Sequence, residues 1–249
     1  SGPLAMRPLI ALYTDFGAAD LYVGQVHAAL AREAPDARVI DLLHAVPNFD
    51  IRAGAYLLPA LAAQLPEGTV FLAVVDPGVG SARRPVVVHA DGRWYVGPDN
   101  GLFRIVARRA AKHECRLIDW RPANLSASFH GRDLFAPIAA RIAIGNPVPG
   151  TVATLTPPSG DWPDDLPAII YVDHYGNAIT GLRAANVDRR SVLAVAGRQL
   201  QYGEVFSAVT PGMPFWYVNS IGLVEVAVNK GSAVEVLGLR VGMEVSVLP

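Results

Sequence analysis

Cysteine is almost missing from this chain. Cys115 stands alone among 249 residues, which excludes an intrachain disulfide, a zinc cluster built on thiolates and a dithiol redox pair. Charge is sparse too: 21 basic against 22 acidic side chains leave a formal net charge of −1, with no footprint for nucleic acid and no acidic tail. No apolar run is long enough to cross a bilayer, and the stretch after Arg7 is cut by Asp15 before it resembles a secretory signal. A cytoplasmic protein is therefore expected, with Ser1 to Ala5 ahead of Met6 read as a cloning remnant. No two histidines stand at metal-ligand spacing, so no metal is expected. Apolar side chains, by contrast, make up 51% of the chain, enough for one large domain or two modest ones.

The most informative stretch is Phe71 to Arg84, FLAVVDPGVGSARR. An unbroken apolar run of this length predicts a strand buried on both faces, and it ends at Asp76 followed by a turn containing Gly78 and Gly80. In open α/β sheets ligands gather beyond the carboxyl ends of the strands, where Asp76 would stand. Arg83, seven positions on, can fold back as its partner. Two readings fit: a reactive carboxylate steadied by Arg83, or an ion pair that only stabilises the turn.

Before this stretch the sequence predicts a strand at Leu9 to Tyr13, a helix capped by Asp20 and running to about Glu33, a strand at Arg38 to Asp41, and a helix capped by Asp50 with Pro59 inside it. After it, Asp91-Gly92 between two apolar runs predicts a hairpin that adds antiparallel strands to a parallel sheet. Helices are expected after Asn100-Gly101 and over Asp133 to Ile144, with a strand near Arg116 to Ile118. Six prolines between Gly145 and Pro167 then read as a linker. Beyond it short strands separated by Gly and Asn turns dominate, Ala233 to Leu237 among them. The expected class is α/β: a mixed-sheet α/β domain over residues 1–160 and a small all-β barrel over 161–249.

Asp15 ends the first strand as Asp76 ends the third, so both carboxylates should face one crevice. A strand-end carboxylate suits the two hydroxyls of a ribose, and the missing G-x-G-x-x-G loop argues for a nucleoside without a phosphate grip. The plainer alternative is that Asp15 caps a turn and Asp20 caps a helix, a reading that fits Asp20 better than Asp15. His130, just before a helix, is either a general base or a helix-entry histidine satisfied by backbone. Asp173, Asn177, Asn219, Ser220 and Asn229 cluster at turns in the second half, where Asn side chains can read a purine edge or serve the turns themselves.

Taken together, TDFGAADLYVG, VVDPGVGSARR, GPDNGL, FHGRDLFAP, DHYGNAIT and NSIGLVEVAVNKG, in this order over nearly the whole chain, resemble the S-adenosyl-L-methionine hydroxide adenosyltransferase family, hydrolytic relatives of the fluorinase and chlorinase. The resemblance implies hydrolysis of S-adenosyl-L-methionine to adenosine and L-methionine by attack at C5′, without a cofactor. It also implies a homotrimer whose sites lie between the N-domain of one subunit and the C-domain of its neighbour. It assigns Asp76, Arg83 and His130 to water activation and Asp15 to the ribose. Asp20 and Ser220 fall to the methionine portion, Phe49 to the pocket wall, and Asp173, Asn177 and Asn229 to methionine and adenine. One departure stands out: Ile221 occupies the position where the halogenases carry arginine. A halogenase of the same fold and a non-catalytic adenosyl-ligand binder are the competing functions.

Overall fold

Val70–Val74 forms strand β3, buried along its whole length in the interior of a seven-stranded sheet. The computed structural model describes residues 7–48, 50–76, 83–204 and 209–249; Phe49, Gly78 and Gly80 lie outside the described residues. On one side of β3 run β1 (Leu9–Thr14) and β2 (Arg38–Leu43), on the other β5 (Arg93–Pro98), and these four are parallel. The sheet continues with β4 (Pro85–Ala90), β6 (His113–Leu117) and β7 (Thr151–Ala153), all antiparallel, giving the order β2-β1-β3-β5-β4-β6-β7. The hairpin between β4 and β5 turns through Asp91 at φ 48° and Gly92 at φ 76°, the two left-handed residues a tight hairpin of this kind needs.

Alternation decides what each face meets. Ile10, Leu12, Val70, Leu72 and Val74 point to helices α1 (Tyr22–Glu33) and α4 (Ala136–Ala143), which supply Val26, Leu30, Ile138 and Ile142 to the same core. On the opposite face Phe71 stacks on Tyr95 at 5.0 Å, and Tyr95 meets Phe103, the residue before α3 (Arg104–Arg109). Burial pushes the Tyr95 hydroxyl up to about 12. The single thiol, Cys115, is buried on β6, and burial together with the charge of Asp99 pushes it up to about 11.

The chain divides into two compact units, one ending at Ala55 and resuming over Leu65–Ser159, the other made of Tyr56–Gln64 and Gly160–Pro249. Helix α2 (Ile51–Ala62), capped by Asp50 through a 2.9 Å bond from the Ala53 amide, runs from the first into the second. The second unit has a four-stranded antiparallel sheet, β12 (Pro214–Val218), β13 (Leu223–Val228), β9 (Ala178–Arg183) and β8 (Leu166–Val172), and a three-stranded one, β11 (Arg198–Leu200), β10 (Val192–Val195) and β14 (Val245–Leu248). Isolated bridges Tyr202↔Trp216 and Ala168↔Glu244 join the two at both edges, so backbone pairing runs round a barrel of these strands.

Four local expectations are corrected. Ala233–Leu237 is a helix, α5, because Ser232 caps it by accepting from the Glu235 amide and Gly238 ends it at φ 66°. The second unit is therefore not purely β. The segment read as a linker contains β7, whose pairing with β6 extends the first sheet, and β9 was not anticipated at all. Asp20 is not the cap of α1: its carboxylate accepts from the Leu21 amide at 2.7 Å, and the capping position is Leu21 with no side-chain bond. The helix expected from Asp133 begins earlier, as a π-helical turn over Gly131–Phe135 that leads into α4.

Gly97 on β5 marks a close approach between strands, since a Cβ there would lie 2.1 Å from the Ala73 carbonyl oxygen. Gly97→Ala is expected to cost at least about 1–3 kcal/mol by forcing backbone apart. Gly24→Ala, within α1 where nothing lies within 4 Å, should instead gain roughly 0.5–1 kcal/mol. Urea unfolding midpoints of the two variants test the contrast.

Candidate functional site

β1 and β3 are neighbours in register, with Thr14 opposite Val74, so both strands leave the sheet at the same level. Asp15 and Asp76, one and two residues further on, line a single cleft of about 430 Å³ together with Ser128, His130 and the rings of Phe16, Tyr22 and Phe129. The rings form a mutual cluster: Phe129 meets Phe16 edge-on at 5.7 Å and Tyr22 at 5.4 Å. Arg83 Nη1 stands 3.3 Å from Asp76 Oδ1, with the Asp76 side chain only 11% exposed. Burial raises the Asp15 carboxyl above its ordinary value; a backbone hydrogen bond opposes this and the neighbouring Asp76 charge adds to it. Two carboxylates among aromatic rings make a cleft suited to a cation with an apolar body.

Hydrogen bonds hold the strand ends in place. The Thr14 hydroxyl lies 2.7 Å from His44 Nδ1 and accepts from the Phe16 amide at 3.2 Å, while His44 Nε2 lies 2.6 Å from Asp41 Oδ1, which also meets His27. A neutral His44 protonated on Nε2 satisfies every member: the ring donates to Asp41, Thr14 donates to the ring, and the Phe16 amide donates to Thr14. Partial burial works against ionisation of Asp41, but hydrogen bonds from His44 and His27 outweigh it and leave this carboxyl below its usual range. The end of β3 is pinned separately, by Asn100 Nδ2 donating to the Val75 carbonyl at 2.7 Å.

The loop that carries Phe129 and His130 is clamped from behind. Arg132 donates to Asp133 at 2.7 Å and to Gln25 on α1 at 2.7 Å, and its guanidinium lies over the Phe129 ring. Asp133 also accepts from the Ser126 amide, and the hydrogen bond from Arg132 holds the Asp133 carboxyl below the usual range. At Gly131 a Cβ would come within 3.1 Å of Phe16 and 3.2 Å of Phe129, so the absence of a side chain there lets the rings close on the turn.

The second unit holds a separate cavity of about 780 Å³. Asp173, Asn177 and Ser220 line it, and Asp173 Oδ1 also accepts from the Tyr175 and Asn177 amides. Asn229 does not line it: its side-chain amide donates to the Val209 carbonyl at 2.6 Å, twenty positions away. Asp20 is exposed and outside the lining of the first cleft. Tyr22, Ser128 and Glu225 were missed by sequence reasoning; Glu225 carried a signal, a lone acid inside the apolar run of β13. Among the described residues no group of three or more His, Cys, Asp or Glu is arranged to hold a metal ion. No helix of the described residues is long and apolar enough to cross a membrane.

Residues 10–151 match the SAM hydroxide adenosyltransferase N-terminal domain and residues 167–246 the corresponding C-terminal domain. The chain belongs to the SAM hydroxide adenosyltransferase family. Within it, an (R)-S-adenosyl-L-methionine hydrolase of Thermus thermophilus is 45% identical over 98% of this chain and 100% of its own. A fluorinase of Actinopolyspora mzabensis is more distant, 27% identical over 97% of each. Among solved structures, an uncharacterized conserved protein of Thermotoga maritima superposes with a TM-score of 0.87 at 30% identity, covering 96% of this chain and 100% of that one. The two domains of the SAM hydroxide adenosyltransferases thus fall on the sheet that carries the first cleft and on the barrel that carries the second cavity.

Thr14→Val keeps the shape of the side chain but leaves His44 Nδ1 and the Phe16 amide unpartnered, and is expected to cost about 1–3 kcal/mol. Thr14→Ser, which retains the hydroxyl, should restore most of the loss. Thermal and urea unfolding of the pair check it.

Proposed function

We propose that this protein hydrolyses S-adenosyl-L-methionine to adenosine and L-methionine, and that it takes the R sulfonium epimer named for its hydrolase relatives. The observation that carries the reading is the convergence of Asp15, Asp76 and His130 on one aromatic cleft, with Arg83 paired to Asp76. Water oxygen attacks C5′, the C5′–S bond breaks, and the bonding pair leaves on sulfur as the neutral thioether of methionine. The leaving group needs no proton, so only the nucleophile requires help. Asp76 and His130 orient the water and draw off its proton, which passes to solvent; Arg83 fixes Asp76 and steadies hydroxide character. Asp15 grips the ribose hydroxyls, and the rings of Phe16, Tyr22 and Phe129 offer apolar cover and a negative face to the sulfonium. Attack of hydroxide on a cation cancels charge, so exclusion of bulk water by these rings favours the reaction. No metal or cofactor enters the proposal.

The working assembly in this reading is a homotrimer, the first cleft of one subunit being completed by the barrel of its neighbour. Phe49 is assigned to the pocket wall, and Asp20, Asp173, Asn177, Ser220 and Asn229 to the methionine and adenine side. For Asp20 and Asn229 that role requires a change from the positions described above.

Single-turnover release of adenosine tests the chemistry. His130→Ala is expected to lower kcat about 10²- to 10⁴-fold, and combining it with Asp76→Asn should add little, because residues acting as a unit are not additive. Asp15→Ala should mainly raise KM, since ribose hydroxyls are held alike in ground and transition states. Wild-type turnover by all the triad variants would overturn the assignment, and a halogenated nucleoside formed with added chloride or fluoride would favour a halogenase. Light scattering checks the assembly: a monomer with full activity overturns the trimer.

A further inference from the structure

Glu225 is out of place in its strand. On β13 the alternate residues Val224, Val226 and Val228 enter the barrel core, and Glu225 faces the other way, opposite Tyr217 on β12 and Ile179 on β9. It is only 4% exposed, yet it lines the 780 Å³ cavity with Asp173, Tyr217, Ser220 and Lys230. Asn219 Nδ2 donates to Glu225 Oε1 at 3.3 Å, and the Asn219 oxygen accepts from the Ile221 and Leu223 amides, which fixes the amide with its NH₂ toward the acid. Burial pushes the Glu225 carboxyl up to about 7, and the charge of Asp173 adds to this. A buried acid beside a second acid is costly unless a cation completes it. Lys230 contributes the opposite charge to the same cavity, from a left-handed backbone at φ 56° that a non-glycine residue adopts reluctantly.

A cavity of this size with two carboxylates, one ammonium and a hydroxyl matches a zwitterion. We propose that Glu225 receives the ammonium of the substrate's amino-acid end and Lys230 its carboxylate, making these two residues determinants of specificity for an amino-acid sulfonium. The inference rests on the proposed function for the identity of the ligand. It gives Lys230 the carboxylate contact that Ile221, an apolar side chain in the same cavity, cannot make. The titratable groups facing Glu225 in the cavity are Asp173 and Tyr175 from the turn between β8 and β9, Tyr217 from β12 and Lys230 after β13. A cationic ligand favours ionised Glu225, so ammonium binding strengthens as pH rises through about 7 and releases a proton below it.

The test is calorimetric binding of L-methionine, whose ammonium stays protonated over this range, at pH 6 and pH 8, together with kinetics on S-adenosyl-L-methionine and on 5′-deoxy-5′-dimethylsulfonioadenosine, which lacks the amino-acid end. Wild-type protein should bind methionine about fivefold or more tightly at pH 8 than at pH 6. Glu225→Gln should abolish that dependence and lower the kcat/KM ratio of the full over the truncated substrate about 10- to 100-fold. Lys230→Met should weaken methionine but not methioninol, which keeps the amine and has no carboxylate. It carries the test if the Glu225 variant does not fold. An unchanged substrate ratio and pH dependence in Glu225→Gln would overturn the inference while leaving hydrolysis intact. If the wild type turned over neither sulfonium, the proposed function would fail instead, and methionine binding would decide Glu225 by itself.

Discussion

The side-by-side register of β1 and β3 is the constraint on which the first cleft depends. Both strands are buried on two faces, so neither can carry a charge within the sheet, and the first position at which either can place one is beyond its carboxyl end. Because Thr14 faces Val74, those positions coincide in space. Everything else in the cleft is fitted to that pair of exits: the hydroxyl of Thr14 and the amide of Asn100 secure one strand end each, and the loop with His130 folds across them.

Electrostatically the cleft and the barrel cavity are alike. Each sets two carboxylates near each other, and burial resists the ionisation of one of them, Asp15 in the cleft and Glu225 in the cavity. A positive ligand relieves that resistance in both places, whereas an anion would deepen it. S-Adenosyl-L-methionine carries positive charge at sulfur and at nitrogen, which suits two acidic sites that are otherwise different in their surroundings. One is walled by aromatic rings, the other by strands with a lysine at hand.

Much of this was legible in the sequence because the signals were local and strong. The apolar run before Asp76, the Asp91-Gly92 turn and the helix opened by Asp50 each announce themselves within a few residues. What escaped depended on distant partners or on competing local signals. β7 is three residues long and is a strand only because β6 offers it an edge. Ala233–Leu237 has β-branched residues typical of a strand, yet Ser232, Glu235 and Gly238 supply a start and a stop that win over them. The side-chain amide of Asn229 donates to the Val209 carbonyl, a partner twenty positions away that no spacing rule reveals. The aromatic cluster of Phe16, Tyr22 and Phe129 joins two stretches that only the fold brings together.

The lone thiol also has a practical side. Cys115 is paired through its backbone with Val88 on β4 and Ala153 on β7, and its high proton affinity leaves almost no thiolate at neutral pH. The one thiol of the folded chain is therefore slow to react with thiol-directed reagents. Its slow modification becomes a clock for the separation of β6 from its neighbours, an opening event distinct from global unfolding. A second cysteine placed anywhere on the surface would react alone, which makes the native scaffold ready for spectroscopic labels without prior removal of its own sulfur.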